Sequence, residues 1–307
     1  REYAPGSQVV LDGKVYRSAG INLRTKSDEQ GRNENQQFDT SWRCHSCGTT
    51  GLTRYKYSQD AHIQCYRCGT KIKEEDKHTV LRPMGFLTDF YEPTSNDVST
   101  QKFIQPEAPR IQLNGTVAPF AYADCGEIHY GSNGEVIYQS AGEHGHGFAI
   151  CMKCGRADSM TVNNELPFEL KQKFHKTLGG GIQMGSKDKD CDNSAVYANI
   201  YLGHHVQTDV LEIALKNPLT KEWLGKADSI AALTIAVAVR DEIAAYLGIQ
   251  TTEMGYAIRQ DKDLENTDIR FLIQIYDQAS GGAGFVLSAV DAIEHILQNA
   301  FKRLRDC

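Results

Sequence analysis

The sequence has no apolar run approaching the roughly 18 residues that a membrane-spanning helix needs, so no membrane association is expected. Its first ten residues, REYAPGSQVV, lack the basic, apolar and small-residue regions of a signal peptide. There is no overall basic excess: 33 Lys and Arg face 39 Asp and Glu, a net charge of −6. Nucleotide-binding signatures are missing too. A phosphate-cradling loop needs GxxxxGK followed by Ser or Thr. The nearest stretch, GGIQMGSK at 180–187, has Ser and Lys in the wrong order. The run IQIYDQASGGAGF at 273–285 reads as a strand, a glycine turn and a helix start, but lacks the Lys and Ser/Thr that would finish a phosphate site. Asp277 reads there as a cap that accepts backbone N–H bonds. No catalytic constellation is complete within the chain. It opens without Met and in β-like sequence, so it reads as a piece of a longer protein.

What the sequence does have is cysteine, nine residues, mostly in CxxC pairs. That spacing suits a metal better than disulfides and implies a reducing, cytoplasmic setting. WRCHSCGTT and IQCYRCGTK place Cys44, Cys47, Cys65 and Cys68 as two CxxC pairs seventeen residues apart. Each pair grips one side of a tetrahedral ion, and four thiolates close its shell, which reads as a structural zinc ribbon. A second set comes from Cys151 and Cys154 in ICMKCG, His175 in KFHKT and Cys191 in DKDCD, with intervening loops of twenty and fifteen residues. Cys125 stands as the alternative to His175 or Cys191. Two Zn2+ sites are expected. The pairs His144/His146 and His204/His205 have no carboxylate or thiol at ligand spacing, and read as turn or surface residues.

Charge is uneven. Between Ser41 and Arg82 there are eight Lys/Arg against four Asp/Glu. Aromatics interleave with these cations, and Trp42, Arg43, Arg54, Lys56, Tyr66 and Arg67 are the candidate nucleic-acid contacts. A solvated basic face on a folding staple is the competing reading.

The fold class expected is mixed α/β (α+β) and multi-domain. Residues 1–92 hold a β-hairpin, turning at Asp12-Gly13, and the ribbon. A Pro/Ser/Thr/Gln-rich linker covers 93–110. Residues 111–217 form a β-rich domain with the second zinc site, in which GEIHYGSNGEVIYQSAG reads as short runs broken by glycine and AVYANIYLGHHVQTDVLEIAL as a strand pair. Residues 218–307 form an α/β domain: a helix over KADSIAALTIAVAVRDEIAAYLGI capped by Asp228 or Ser229, two strands, and one amphipathic helix over AGFVLSAVDAIEHILQNAFKRLR.

The stretch YDQASGGAGF, the helix ADSIAALTIAVAVRDEI and the strand TDVLEI resemble the MrfA-type zinc-binding (MZB) domain found at the C-terminal end of many superfamily 2 DNA helicases and in helicase-partner proteins. In that family a further four-cysteine zinc site begins at the position of Cys307, so the resemblance implies a third site, incomplete here. Upstream, REYAPGSQVVLDGKVYRSAGI, the ribbon, VLRPMGFLTDFYEP, and CMKCGRA with His175 and Cys191 resemble the central part of DrmB-type proteins of the DISARM phage-defence system; similar regions occur in Druantia-type defence helicases. The resemblance implies a zinc-binding accessory region that contacts DNA or couples to a helicase motor, fused or separate. The alternatives are a scaffold that docks a helicase subunit without touching DNA, and part of an enzyme whose active site lies elsewhere.

Overall fold

The computed structural model describes residues 3–23, 38–54, 62–99, 101–113, 115–120, 125–179, 190–225, 229–262 and 268–306. β1 (Gln8–Leu11) and β2 (Lys14–Ile21) form the expected hairpin, with Leu11 paired to Lys14. Asp12 and Gly13 both have positive φ, 50° and 73°, the mirror-image turn that matches the twist of a two-residue hairpin. β6 (Phe86–Thr88) adds to β2 to make a three-stranded sheet.

The second sheet has eleven strands. Its spine is β14 (Val196–Leu215), a single strand of 20 residues where two had been expected. Gly203 within it is a point of close approach, since a Cβ there would lie 2.6 Å from the Tyr138 carbonyl oxygen. β9 (Gly126–Ser140) is likewise one strand rather than several. The Asn133-Gly134 step is absorbed by a bulge opposite Thr208–Val210, where a Cβ on Gly134 would strike Val210 at 2.3 Å.

Along one edge of β14 lie β10 (Phe148–Cys151), paired with its first residues, and then β9. β5 (Lys77–Leu81) runs parallel to it at Tyr201 and Leu202, and β16 (Ile269–Asp277) runs antiparallel to it over Val210–Ala214. β5 carries β3 (Phe38–Arg43) and β4 (Thr50–Arg54). β9 carries β7 (Arg110–Gln112) and β8 (Thr116–Pro119). β10 carries β11 (Ala157–Ser159), and β16 carries β15 (Met254–Lys262). Strands from all three segments read in the sequence therefore share one sheet. A separate two-stranded ladder joins β12 (Phe174–Lys176) to β13 (Asp190–Asp192), and a one-turn helix, α1 (Phe168–Lys171), precedes it.

The largest core lies at the C-terminal end of the sheet. α2 (Ser229–Leu247) buries Ala232, Ala236, Val239 and Ile243, a stripe at three- and four-residue spacing, against Leu211, Ile213, Ile273 and Ile275. It stops where Gly248 takes φ +70°, its N–H donating to Ala245 O and that of Ile249 to Ala244 O, a pattern that satisfies the last carbonyls. The proposed cap Asp228 lies outside the described residues. The final helix is not continuous as expected: α3 (Phe285–Ser288) and α4 (Ile293–Arg305) are separated by a 3-10 turn at Val290–Ala292, where Ala292 N–H reaches Ala289 O instead of one residue further back. No helix among the described residues is long and apolar enough to cross a membrane.

Candidate metal centres

Three knuckles share one backbone design. In each, the first cysteine accepts from the glycine after the second: Gly48 N–H to Cys44 O at 2.8 Å, Gly69 N–H to Cys65 O at 2.9 Å, Gly155 N–H to Cys151 O at 2.8 Å. The first cysteine's own N–H donates to Thr49 O, Thr70 O and Arg156 O respectively. All three glycines have φ between 71° and 78°, a conformation in which a side chain would be strained. This curls the chain so that two sulfurs point to one spot.

In the first cluster the four sulfurs of Cys44, Cys47, Cys65 and Cys68 lie within 4.8 Å of one another. Cys44 Sγ is 3.6 Å from Cys68 Sγ, and Cys47 Sγ is 3.5 Å from Cys65 Sγ. Tetrahedral zinc with bonds of about 2.3 Å requires sulfurs roughly 3.8 Å apart. Thr49 Oγ1 and Thr70 Oγ1 lie 3.2 Å from Cys47 Sγ and Cys68 Sγ, where they support the ligands. Around them Trp42, Ile63 and Ile72 make a small core.

The second cluster brings together Cys151, Cys154, His175 and Cys191, as the spacing had suggested. Cys151 Sγ is 3.7 Å from Cys191 Sγ, and Cys154 Sγ is 3.3 Å from His175 Nε2. Cys151 is the last residue of β10. His175 and Cys191 are direct cross-strand partners in the β12–β13 ladder, so the pleat points both to the same side. Cys125 is not in this cluster. It packs at the edge of the C-terminal core, with its carbonyl accepting from Lys216 N–H.

Protonation in both clusters reflects crowded sulfur. Burial pushes the Cys44 thiol up to about 12. Burial also opposes the Cys68 thiolate, but hydrogen bonds from Thr70, Cys47 and Cys44 outweigh it and bring that group down to about 6. In the second cluster the hydrogen bond from Cys154 holds Cys151 at about 5 against burial, while burial and the neighbouring Cys151 raise Cys191 to about 11. One thiolate is thus held in place by thiols in each set, an arrangement that a divalent cation would relieve by displacing the remaining protons. The donor sets, four sulfurs in one and three sulfurs with one imidazole nitrogen in the other, fit zinc. Zinc would supply a structural cross-link at each. Neither set leaves a protein ligand position open for substrate.

The candidate nucleic-acid residues separate. Arg43 and Arg54 are exposed, and no ion pair holds either guanidinium among the described residues. Tyr66 is 44% exposed, its ring edge-on to Trp42 at 6.0 Å. Lys56 lies outside the described residues. Two expectations need correction. Trp42 is only 3% exposed, with its Nε1–H donating to Thr53 Oγ1 at 3.0 Å, so its ring belongs to the ribbon core and presents no stacking face. Arg67 turns away from solvent to pair with Asp261.

That pair belongs to a network which the sequence did not reveal. Asp261, on β15, is fully buried and also accepts from Arg270 Nε at 3.0 Å. Arg270 Nη1 reaches Glu127 Oε1 at 2.7 Å. Arg259 meets Glu212 Oε1 at 3.3 Å, and Gln274 donates to the same oxygen at 2.5 Å. Arg259 also donates to Thr49 Oγ1 of the first knuckle at 3.3 Å, and Lys262 N–H to Cys47 O at 3.1 Å. Gly48 fits only because it has no Cβ, which would lie 2.1 Å from Gln260 O. The ribbon therefore docks on the β15–β16 hairpin through charge and backbone rather than apolar contact.

At the glycine turn, Asp277 accepts three backbone N–H bonds, from Ala283 at 2.9 Å, Phe285 at 3.0 Å and Val286 at 3.1 Å, which is the capping role read from the sequence. Asp209, missed in the sequence, accepts from Gly284 N–H at 2.8 Å. Gly282 is required because a Cβ there would lie 2.3 Å from the Asp209 carboxylate.

Residues 235–307 match the family described as MZB, MrfA Zn-binding domain. The whole chain aligns with the Druantia protein DruE of Escherichia coli (strain UMEA 4076-1) at 24% identity over 326 residues. It spans 17% of the length of that curated relative. Among solved structures it is similar to the DUF1998 helicase MrfA bound to DNA, with 13% identity and a TM-score of 0.30, over 62% of this chain and 20% of that one.

Proposed function

We propose that this region is a zinc-stabilised accessory part of a helicase-type anti-phage defence protein, where it contacts DNA and couples that contact to a motor. The observation that carries the reading is the closure of both donor sets. Four protein ligands at each site, most of them buried, suit a metal that holds structure and leave the work to surfaces around it. The MZB match at the C-terminal end and the likeness of the whole chain to part of a Druantia protein support the helicase context. Of the two defence systems, that likeness favours a Druantia-type protein over a DISARM DrmB-type one. We read residues 1–92, 111–217 and 218–307 as modules built on one sheet, with Cys307 outside the described residues and the motor's own motifs outside this chain. Thiolate ligands of this kind persist in a reducing compartment, which supports a cytoplasmic reading.

The ribbon's exposed cations, Arg43 and Arg54, are the candidate phosphate contacts. Charge reversal at both should weaken DNA binding and flatten its dependence on salt, since each lost phosphate contact removes about one unit of the log–log slope. Metal analysis should return two zinc ions per copy of this region. Absence of DNA binding at low salt would sink the DNA-contacting reading, and one zinc or none would break the ligand assignment.

A further inference from the structure

Protein interiors pack closely and leave few voids larger than a water molecule. A cavity of about 250 Å³ departs from that rule between the three-stranded and the eleven-stranded sheets. Its floor is two adjacent cross-strand pairs of β9 and β14, Ser140 with Leu202 and Tyr138 with His204. Residues two apart on a strand face the same side, so these four side chains stand on one face. Phe86 of β6, with Pro83 and Pro106, walls the space. It opens where two cores part: Leu202 and Phe86 pack in one, Tyr138 in the other.

The polar groups here are few. The Tyr138 and His204 rings lie 5.1 Å apart with their planes tilted by 30°. The Tyr138 hydroxyl is engaged elsewhere, donating to Tyr276 Oη at 3.3 Å, which leaves its ring to the cavity. Ser140 is buried, and its Oγ accepts a long bond from Gly142 N–H at 3.5 Å, so its own O–H is left to donate. Arg82 stands at the mouth, exposed and without an ion pair among the described residues. Two carboxylates come near it. Asp39 lies in the field of Arg54 as well as Arg82, and Glu107, next to Pro106, is paired with Arg110 at 3.1 Å. Three guanidinium groups thus face two carboxylates, before His205 is counted beside Asp39.

Apolar walls, two rings in the floor, one hydroxyl donor within and one surplus guanidinium at the mouth suit a flat ring whose edge accepts a hydrogen bond and which carries an anion. The volume is below that of a drug-sized pocket, so it holds one ring system and not a stacked run. A nucleotide has that build. We propose that this cavity receives a single nucleotide, its base against Tyr138 and His204 and its phosphate at Arg82. A free nucleotide and an unpaired base in a DNA strand present the same chemistry. The proposal does not depend on the DNA-contacting reading, which rests on Arg43 and Arg54.

The test uses the full-length, zinc-loaded protein and two probes: dAMP by calorimetry, and labelled duplexes, fully paired or with one bulged adenine, by anisotropy. Arg82→Gln alters an exposed side chain and His204→Ala a half-buried one, so both variants should keep their zinc content and fold. Each should weaken dAMP binding, or the preference for bulged over paired DNA, about tenfold. Weakened dAMP binding identifies a free nucleotide as the ligand. A lost bulge preference in a protein that does not bind dAMP identifies a base carried by DNA. Binding that survives either substitution overturns the proposal, as does wild-type protein that neither binds dAMP nor prefers the bulged duplex. In that last case binding of the paired duplex still leaves the DNA-contacting reading standing. Wild-type protein that binds dAMP but no duplex would sink that reading alone.

Discussion

The two clusters hold nearly the same donors in unlike settings. The first belongs to a module with its own small core of Trp42, Ile63 and Ile72, joined to the rest through β5 and the buried charges around Asp261. The second has no such independence. Its first ligand, Cys151, ends a strand of the main sheet, and its core of Ala149, Met160 and Leu170 is continuous with that sheet. Alike in chemistry, one centre sits in the β3–β4 hairpin at one end of the sheet and the other where β10 meets β14.

The widest separation between them should come from ligand removal. Cys154→Ser is expected to lose one zinc and to destabilise the chain as a whole by several kcal/mol, on the order of what structural zinc contributes to small domains. Cys65→Ser should lose the other zinc with damage confined to residues 38–54 and 62–81. Hydrogen exchange with metal analysis checks both, and equal, chain-wide loss of protection in the two variants would erase the distinction. A smaller effect should come from the docking charges. Asp261→Ala strands Arg67 and Arg270 and should cost about 3–5 kcal/mol. It should loosen the ribbon while both zinc ions stay bound, so zinc loss in that variant would mean that docking and metal binding are one event.

The smallest effect is a pH dependence at the edge of the same network. The hydrogen bond with His129, then Arg270 beside it, hold Glu127 at about 2, below its ordinary 4.5, against the cost of burial. A depressed carboxylate stabilises the folded chain fully above its ordinary value and loses that contribution as pH falls towards 2. Wild type should therefore exceed Glu127→Gln by roughly 1 kcal/mol at pH 6, with the gap closing below pH 4.5. A gap that stays constant from pH 6 to pH 3 in chemical denaturation would remove Glu127 from the docking network.

Both clusters were legible because CxxCG imposes local geometry: spacing alone fixes where two sulfurs point. His175 was legible only by position, and the β12–β13 ladder supplies the reason, because it sets that ring opposite Cys191. Asp277 was readable as a cap, but its partner Asp209 was not, since it lies on a distant strand at a bulge that no local pattern announces. Glycine misled in β9. In sequence a glycine reads as a break, whereas Gly134 and Gly203 mark places where another strand comes too close for a side chain. The charged network was invisible for a related reason. Arg259 and Asp261 alternate along β15 as solvent-facing residues do, and the docked ribbon covers them, while Arg270 opposite stacks on the Trp223 ring. Arg67 was misjudged through that same covering, and Trp42 because the ribbon's own core takes its ring.

The long strand β14 also sets a timetable. It begins at Val196, whereas β5, which must pair with it, ends at Leu81. On a translating ribosome the ribbon could fill with zinc long before its neighbour exists, leaving one edge of β5 unpaired for roughly ten seconds at ordinary elongation rates. An unpaired edge is an invitation to wrong partners. A metal that locks the ribbon early would keep that edge short and fixed until β14 arrives, so zinc supply during synthesis should govern how much of the protein reaches its folded state.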